Sequence, residues 1–249
     1  AIVHRLGGNS DLWLRDLVRD VETRFTSVPL TNEYPVWSPD GSRIAFSPSR
    51  TGANDLYWKD ARGTVQEEAL LRNGNAKYAD DWSRDGKLLL YAEVDPKTQY
   101  DLWILPLDGD RKPVPFLRTE FNESQGQFSP DGRWVAYTSD ESGQTEVYVR
   151  PFPGGEGKLR VSNDGGFYPR WRRDGKEMYY WSASGTLTAV PVKLGATFEV
   201  GTPKPLFALR FYVQGPVANV YAYAVSADGQ RFLVNTYGSD PTLNVVSNW

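Results

Sequence analysis

The chain has 249 residues, 40% of them hydrophobic and 24% charged, with a formal net charge of -3. That is globular composition with length enough for a sizeable core, and the absence of a basic run leaves no surface for nucleic acid or an anionic membrane. There is no cysteine, which excludes disulfides, cysteine–zinc centres and thiol nucleophiles, and no apolar run nears the roughly 18 residues that span a membrane.

Aromatic residues at 14% and 17 prolines favour strands joined by many turns. The first residues, AIVHRLGGNSDLW, lack the charged start, apolar centre and cleavage site of a signal peptide. They resemble the middle of a β domain, so residues 1–249 are expected to be one domain of a larger polypeptide. Ala1–His4 is predicted to end a second strand, Asp11–Leu17 to be a third and Glu22–Thr26 a fourth. Next comes Trp37 and the turn Ser38-Pro39-Asp40-Gly41. Serine suits the first turn position, proline fixes φ at the second, and glycine accepts the positive φ that follows.

The same turn recurs at Ser83-Arg84-Asp85-Gly86, Ser129-Pro130-Asp131-Gly132, Arg172-Arg173-Asp174-Gly175 and Ser226-Ala227-Asp228-Gly229. Before the turns stand Trp37, Trp82, Phe128, Trp171 and Val225, separated by 45, 46, 43 and 54 residues. After each turn comes a second strand, such as Trp134–Thr138, rich in aromatic and β-branched residues. Third strands follow at Asp55–Trp58, Asp101–Ile104 and Glu146–Val149, with weaker copies at Thr186–Ala189 and Thr242–Val245. Fourth strands are predicted near Glu67–Leu71, Val114–Leu117, Leu159–Ser162 and Lys204–Leu209. A period in the low-to-middle forties with four strands per unit is the signature of propeller blades. No segment of length has helical periodicity, so almost no helix is expected.

About 22 strands result: three, then four sets of four, then three. Six four-stranded antiparallel blades need 24, and a six-bladed ring is the favoured arrangement. The alternative is five blades, closed by the N-terminal strand Glu22–Thr26. The longest insertion, Phe211–Val220, is a lid candidate, although a plain loop is the simpler expectation.

The repeat W-S-P-D-G-x-x-I-A-F…D-L-Y, complete at Trp37–Tyr57, resembles the TolB-like propeller repeat, also called PD40 or WD40-like. Leu107–Tyr180 further resembles the C-terminal propeller of bacterial membrane-bound serine/threonine kinases. This chain has neither a G-x-G-x-x-G loop nor H-R-D. The resemblance implies a sensing or protein-docking module in the bacterial periplasm or outside the cell. The repeat specifies fold far more than function.

Three chemistries are disfavoured. His4 is the only histidine, so the several-histidine metal site of TolB-like polysaccharide lyases cannot be built, and His4 reads as an ordinary surface residue. No G-x-S-x-G elbow supports a serine hydrolase. The repeated aspartates Asp40, Asp85, Asp131, Asp174 and Asp228 are explained by their turns. No cofactor or metal is expected.

What varies lies just upstream of each turn. Asp80, Asp81, Glu33 and Glu123 are candidates for an acidic funnel at the central channel, against the simpler reading of solvated loop carboxylates. A glycosidase pair of Glu123 and Asp80 needs a separation that sequence does not supply. Tyr34, Tyr78, Phe167, Tyr168, Tyr221 and Tyr223 recur near the start of the inner strands. Beside Arg50, Lys97, Asp140 and Arg170 they would form an amphipathic face for a peptide, protein or small ligand; the simpler reading packs them between blades. The ligand-binding candidates are thus Tyr34, Tyr78, Asp80, Glu123, Tyr168, Arg170 and Tyr221. The expectation is a non-enzymatic binding module, with a carbohydrate- or peptide-active enzyme, or a pure scaffold, as alternatives.

Overall fold

The computed structural model describes residues 1–6, 9–28, 30–50, 52–208, 223–236 and 242–247. These residues form 23 strands and no helix. Every sheet is an antiparallel meander. The first holds β1 (Ile2–Leu6), β2 (Asn9–Asp16) and β3 (Val21–Arg24). The second holds β4 (Asn32–Trp37), β5 (Arg43–Pro48), β6 (Leu56–Asp60) and β7 (Glu68–Leu71). The third runs β8 (Lys77–Trp82), β9 (Leu88–Asp95), β10 (Gln99–Pro106) and β11 (Val114–Leu117). The fourth runs β12 (Glu123–Phe128), β13 (Trp134–Ser139), β14 (Glu146–Pro151) and β15 (Leu159–Arg160). In the fifth, β16 (Gly166–Trp171), β17 (Glu177–Ser182) and β18 (Thr186–Lys193) are followed by two short strands that share the edge of β18, β19 (Glu199–Val200) and β20 (Lys204–Ala208). The last holds β21 (Tyr223–Val225), β22 (Arg231–Thr236) and β23 (Thr242–Ser247).

The turns are as their chemistry dictates. Gly41, Gly86, Gly132, Gly175 and Gly229 have φ of 70–77°. In each the glycine N–H donates to the carbonyl three residues back, as Gly132 does to Ser129 at 2.9 Å. The aspartate accepts from the serine hydroxyl, 2.6 Å for Ser129 to Asp131. It accepts again from the backbone two residues on, 3.2 Å from Arg133. Asp131 is therefore turn punctuation. In the fourth copy Arg172 replaces serine and reaches Asp174 through its guanidinium at 2.7 Å.

The core sits between sheets, not within one central layer. Successive residues on a strand face opposite sides, so β13 feeds two interfaces. Val135 and Tyr137 pack with Leu90 and Leu102 of the third sheet. Trp134 and Ala136 pack with Met178 and Val190 of the fifth. Trp58 and Trp82 stack across the second interface, 5.9 Å apart and 15° from parallel. This face-to-face packing of neighbouring meanders is the propeller arrangement.

Two expectations need correction. The six-bladed ring is not confirmed: among the described residues no strand of the first sheet pairs with the last, and each of these sheets has three strands. The segment expected to close a five-bladed ring, Glu22–Thr26, overlaps β3, which pairs here with Trp13–Asp16 of the first sheet. Secondly, the residues before the turns do not share one environment: Trp37 is 42% exposed where Trp82 is 7%.

Candidate functional site

The first strands β4, β8, β12 and β16 contact one another in sequence and so line the axis. All four are bulged at one repeat position: the register slips between Glu33 and Val36, Ala79 and Asp81, Ser124 and Gln127, and Phe167 and Arg170. Three bulges place a large non-glycine residue at positive φ: Tyr34 at 58°, Gln125 at 58° and Tyr168 at 55°. Such conformations cost of order 1–3 kcal/mol each and concentrate at functional sites. The cause is local. Pro35 and Pro169 follow two of these residues and cannot donate to a ladder. Gly126 follows the third, and a Cβ there would lie 2.5 Å from Leu90 Cδ2.

A bulge frees backbone groups, and neighbouring blades use them. The Tyr168 N–H donates to Gln125 Oε1 at 2.6 Å. The Ala79 N–H donates to Ser47 Oγ at 3.0 Å. Gln127 Nε2 donates to the Asp80 carbonyl at 3.0 Å, and the Phe128 N–H to Asp81 Oδ2 at 2.8 Å. The inner strands are thus stitched to one another by polar groups specific to each blade.

The structure separates the candidate residues into two groups. Tyr34 and Tyr78 are half-buried and meet edge-to-face at 4.9 Å, and Tyr78 stacks on Tyr100 at 5.9 Å. Burial pushes the Tyr78 hydroxyl up to about 12, with Tyr100 adding to it. Arg170 is half-buried, its guanidinium on the Pro169 carbonyl at 2.9 Å. Asp80 at 3%, Glu123 at 1% and Tyr168 at 3% exposure are buried, and this corrects their placement on an open face. Tyr168 is walled in by Trp181 and Tyr223, and its carbonyl accepts the Tyr223 hydroxyl at 2.8 Å. Glu123 sits behind Thr119, whose hydroxyl it accepts. Tyr221 and the insertion Phe211–Val220 lie outside the described residues.

The buried carboxyls are electrostatically unusual. Burial lifts Asp80 well above the carboxylate range, against the Gly126 N–H and Arg170. Burial lifts Asp81 to about 7, with the Phe128 and Trp82 amides and Arg170 opposing. Glu123 rises to about 7 through burial, helped by the nearby charges of Asp101 and Asp140. Asp80 and Asp81 lie near the Arg170 guanidinium while Glu123 lies near Asp101 and Asp140, which is not an open acidic funnel. Among the described residues no group of three or more histidine, cysteine or carboxylate side chains is placed to hold a metal. His4 is taken up by Glu22 at 3.2 Å and by the Trp13 ring at 5.3 Å.

Sequence reasoning missed Gln125 and Tyr100. Proline or glycine inside a strand was the available signal for Gln125. Tyr100 lies on a third strand and only the fold brings it to Tyr78. Chemically, the half-buried rings offer faces for flat or apolar groups.

These features define an all-β propeller whose bulged inner strands gather aromatic and charged side chains near the axis. No family model matches the chain. An uncharacterized protein of Agrobacterium fabrum is 24% identical over 169 residues, covering 65% of this chain and 54% of the relative. The Tol-Pal system protein TolB of Bordetella pertussis is 29% identical over 143 residues, covering 56% of this chain and 32% of TolB. The chain thus spans about half of the first relative and a third of the second. TolB from Acinetobacter baumannii superposes with a TM-score of 0.75 at 19% identity, covering 96% of this chain and 57% of that one. The periplasmic gluconolactonase of Pseudomonas aeruginosa superposes at 0.63 and 17% identity, covering 96% and 74%. At these identities the superpositions show the fold. Repeat, fold and relatives agree: the chain has a TolB-like β-propeller fold and is similar in sequence to TolB over part of its length.

Proposed function

We propose that this chain is a non-catalytic binding module that docks a protein or peptide on the face carrying the inner-strand bulges. The observation that carries this reading is the run Tyr34–Tyr78–Tyr100, three half-buried rings in contact across two blades. Half-buried tyrosines supply contact area at little entropic cost and dominate binding hot spots. The TolB name of the relatives supports a bacterial protein acting outside the cytoplasm. Blade number is part of this proposal: six blades is the preferred ring and five, closed by an N-terminal strand, the competitor.

A catalytic reading rests on the lifted carboxyls Asp80 and Asp81 near Arg170, and on propeller neighbours named as enzymes. A photo-reactive residue separates the two. Placed at position 78 or 100, it should form the same protein or peptide adduct in a periplasmic extract, and at position 133, on the turn face, none. Equal labelling at all three positions would sink the docking reading. Turnover of a lactone, glycan or peptide that Asp81→Asn abolishes would establish the catalytic one.

A further inference from the structure

A cavity of about 260 Å³ lies between the third and fourth sheets. Leu117, Thr119, Tyr137, Glu141, Arg150, Gly157 and Lys158 line it. Its apolar wall continues the interface core: Tyr137 is buried against the third sheet, with Leu117 packed beside that core. Its polar groups are unevenly satisfied. Glu141 is already neutralised by an ion pair with Lys158. The Thr119 hydroxyl is spent on Glu123. Burial pushes the Tyr137 hydroxyl up, so it stays neutral.

Arg150 is different. It lies over the Phe116 ring, 5.4 Å from its centroid, and its Nε–H is buried without a hydrogen-bond partner. No carboxylate among the described residues forms an ion pair with it. A guanidinium at a cavity wall with no anionic partner is suited to a carboxylate, since the charge-assisted bonds between them are strong. An aromatic ring beneath a guanidinium does not replace that acceptor, because it contacts the face of the group while the N–H bonds lie in its plane.

We propose that this cavity is a second binding site, one that takes a small amphipathic carboxylic acid. The carboxylate accepts from the Arg150 guanidinium at the cavity wall, and the apolar body lies on Leu117 and the Tyr137 ring. A cation is disfavoured, because the unpaired charge at the wall is positive. A neutral molecule of the same shape loses the charge-assisted bond. The volume sits below the usual few hundred to 1,000 Å³ of drug-sized pockets, so the ligand is one ring or a short chain.

Benzoate is a suitable probe, with benzamide as its uncharged counterpart. The Arg150 Nε–Hε resonance of the full chain should shift saturably with benzoate. Benzamide should bind at least about tenfold more weakly, a difference of about 1.4 kcal/mol. Arg150→Gln should abolish the benzoate effect, and Tyr78→Ala should leave it unchanged. If Arg150→Gln does not fold, the benzoate–benzamide contrast on the unmodified chain decides. Absence of a saturable shift, equal binding of benzamide, or undiminished binding by folded Arg150→Gln would each overturn the proposal.

Discussion

Tyr34 and Tyr168 occupy one repeat position, precede a proline and share a positive φ, yet one is half-buried and the other buried. The difference comes from the second strand of the same blade together with the blade that follows. After Tyr168, the fifth and last sheets supply Trp181, Tyr179, Phe232 and Tyr223, which close over it. After Tyr34, the matching positions hold Ala79 and Asp80, and the neighbour that meets its ring is Tyr78. The backbone device is the same, but one copy is built into the core and the other is left open at the surface. A bulge repeated in every blade is therefore part of the architecture, and function follows from what the surrounding strands place in front of it.

Truncation breaks the comparison most sharply. Tyr168→Ala should cost about 3–5 kcal/mol, the usual loss for a buried aromatic, and Tyr34→Ala less than about 1 kcal/mol. Urea unfolding of both checks this, and equal costs would remove the distinction. Glycines make a second contrast. Gly126→Ala drives a Cβ into Leu90, which is itself fully buried, and should cost about 1–3 kcal/mol by overpacking. Gly132 has open space around it and a φ of +70°, so Gly132→Val should cost more than about 1 kcal/mol through the backbone alone. Here Gly132→Asn should recover much of the loss and Gly132→Ala little, since asparagine tolerates positive φ.

Titration gives a smaller effect. Asp81 and Glu123 are lifted to about 7 in the folded chain. Between the ordinary carboxylate range and about 7, the folded state therefore holds protons that the unfolded state has released. Stability should fall as pH rises through that window and level off above it. Asp40 and Asp174, lowered to about 2 by their turn hydrogen bonds, act oppositely: their contribution is present above the carboxylate range and lost as pH falls towards 2. Thermal melts from pH 5 to 8 should show the decline, and Glu123→Gln should flatten it. A melting temperature that rises with pH would contradict the assignment.

The periodic parts of the molecule were legible in the sequence. Asp131 and Gly132 declare their turn because its dihedrals admit few residues, and Trp134–Thr138 declares a strand by its aromatic and β-branched run. The closing of the ring was not legible, because it depends on pairings between chain ends and no local pattern encodes them. The site was legible only in part. Tyr34 and Tyr78 were found as recurring rings before each turn, but so was Tyr168, since exposure depends on the surrounding strands. Tyr100 carried no signal, because its approach to Tyr78 joins a third strand to an inner one.

The claim that the open aromatic run is the docking face is tested most directly by peptide selection on the unmodified chain. The selected binders are then measured on Tyr78→Ala and Arg133→Ala. The account predicts at least about tenfold weaker binding to Tyr78→Ala, about 1.4 kcal/mol, and unchanged binding to Arg133→Ala. Binders that lose affinity on Arg133→Ala and keep it on Tyr78→Ala would place the docking surface on the turn face and contradict it.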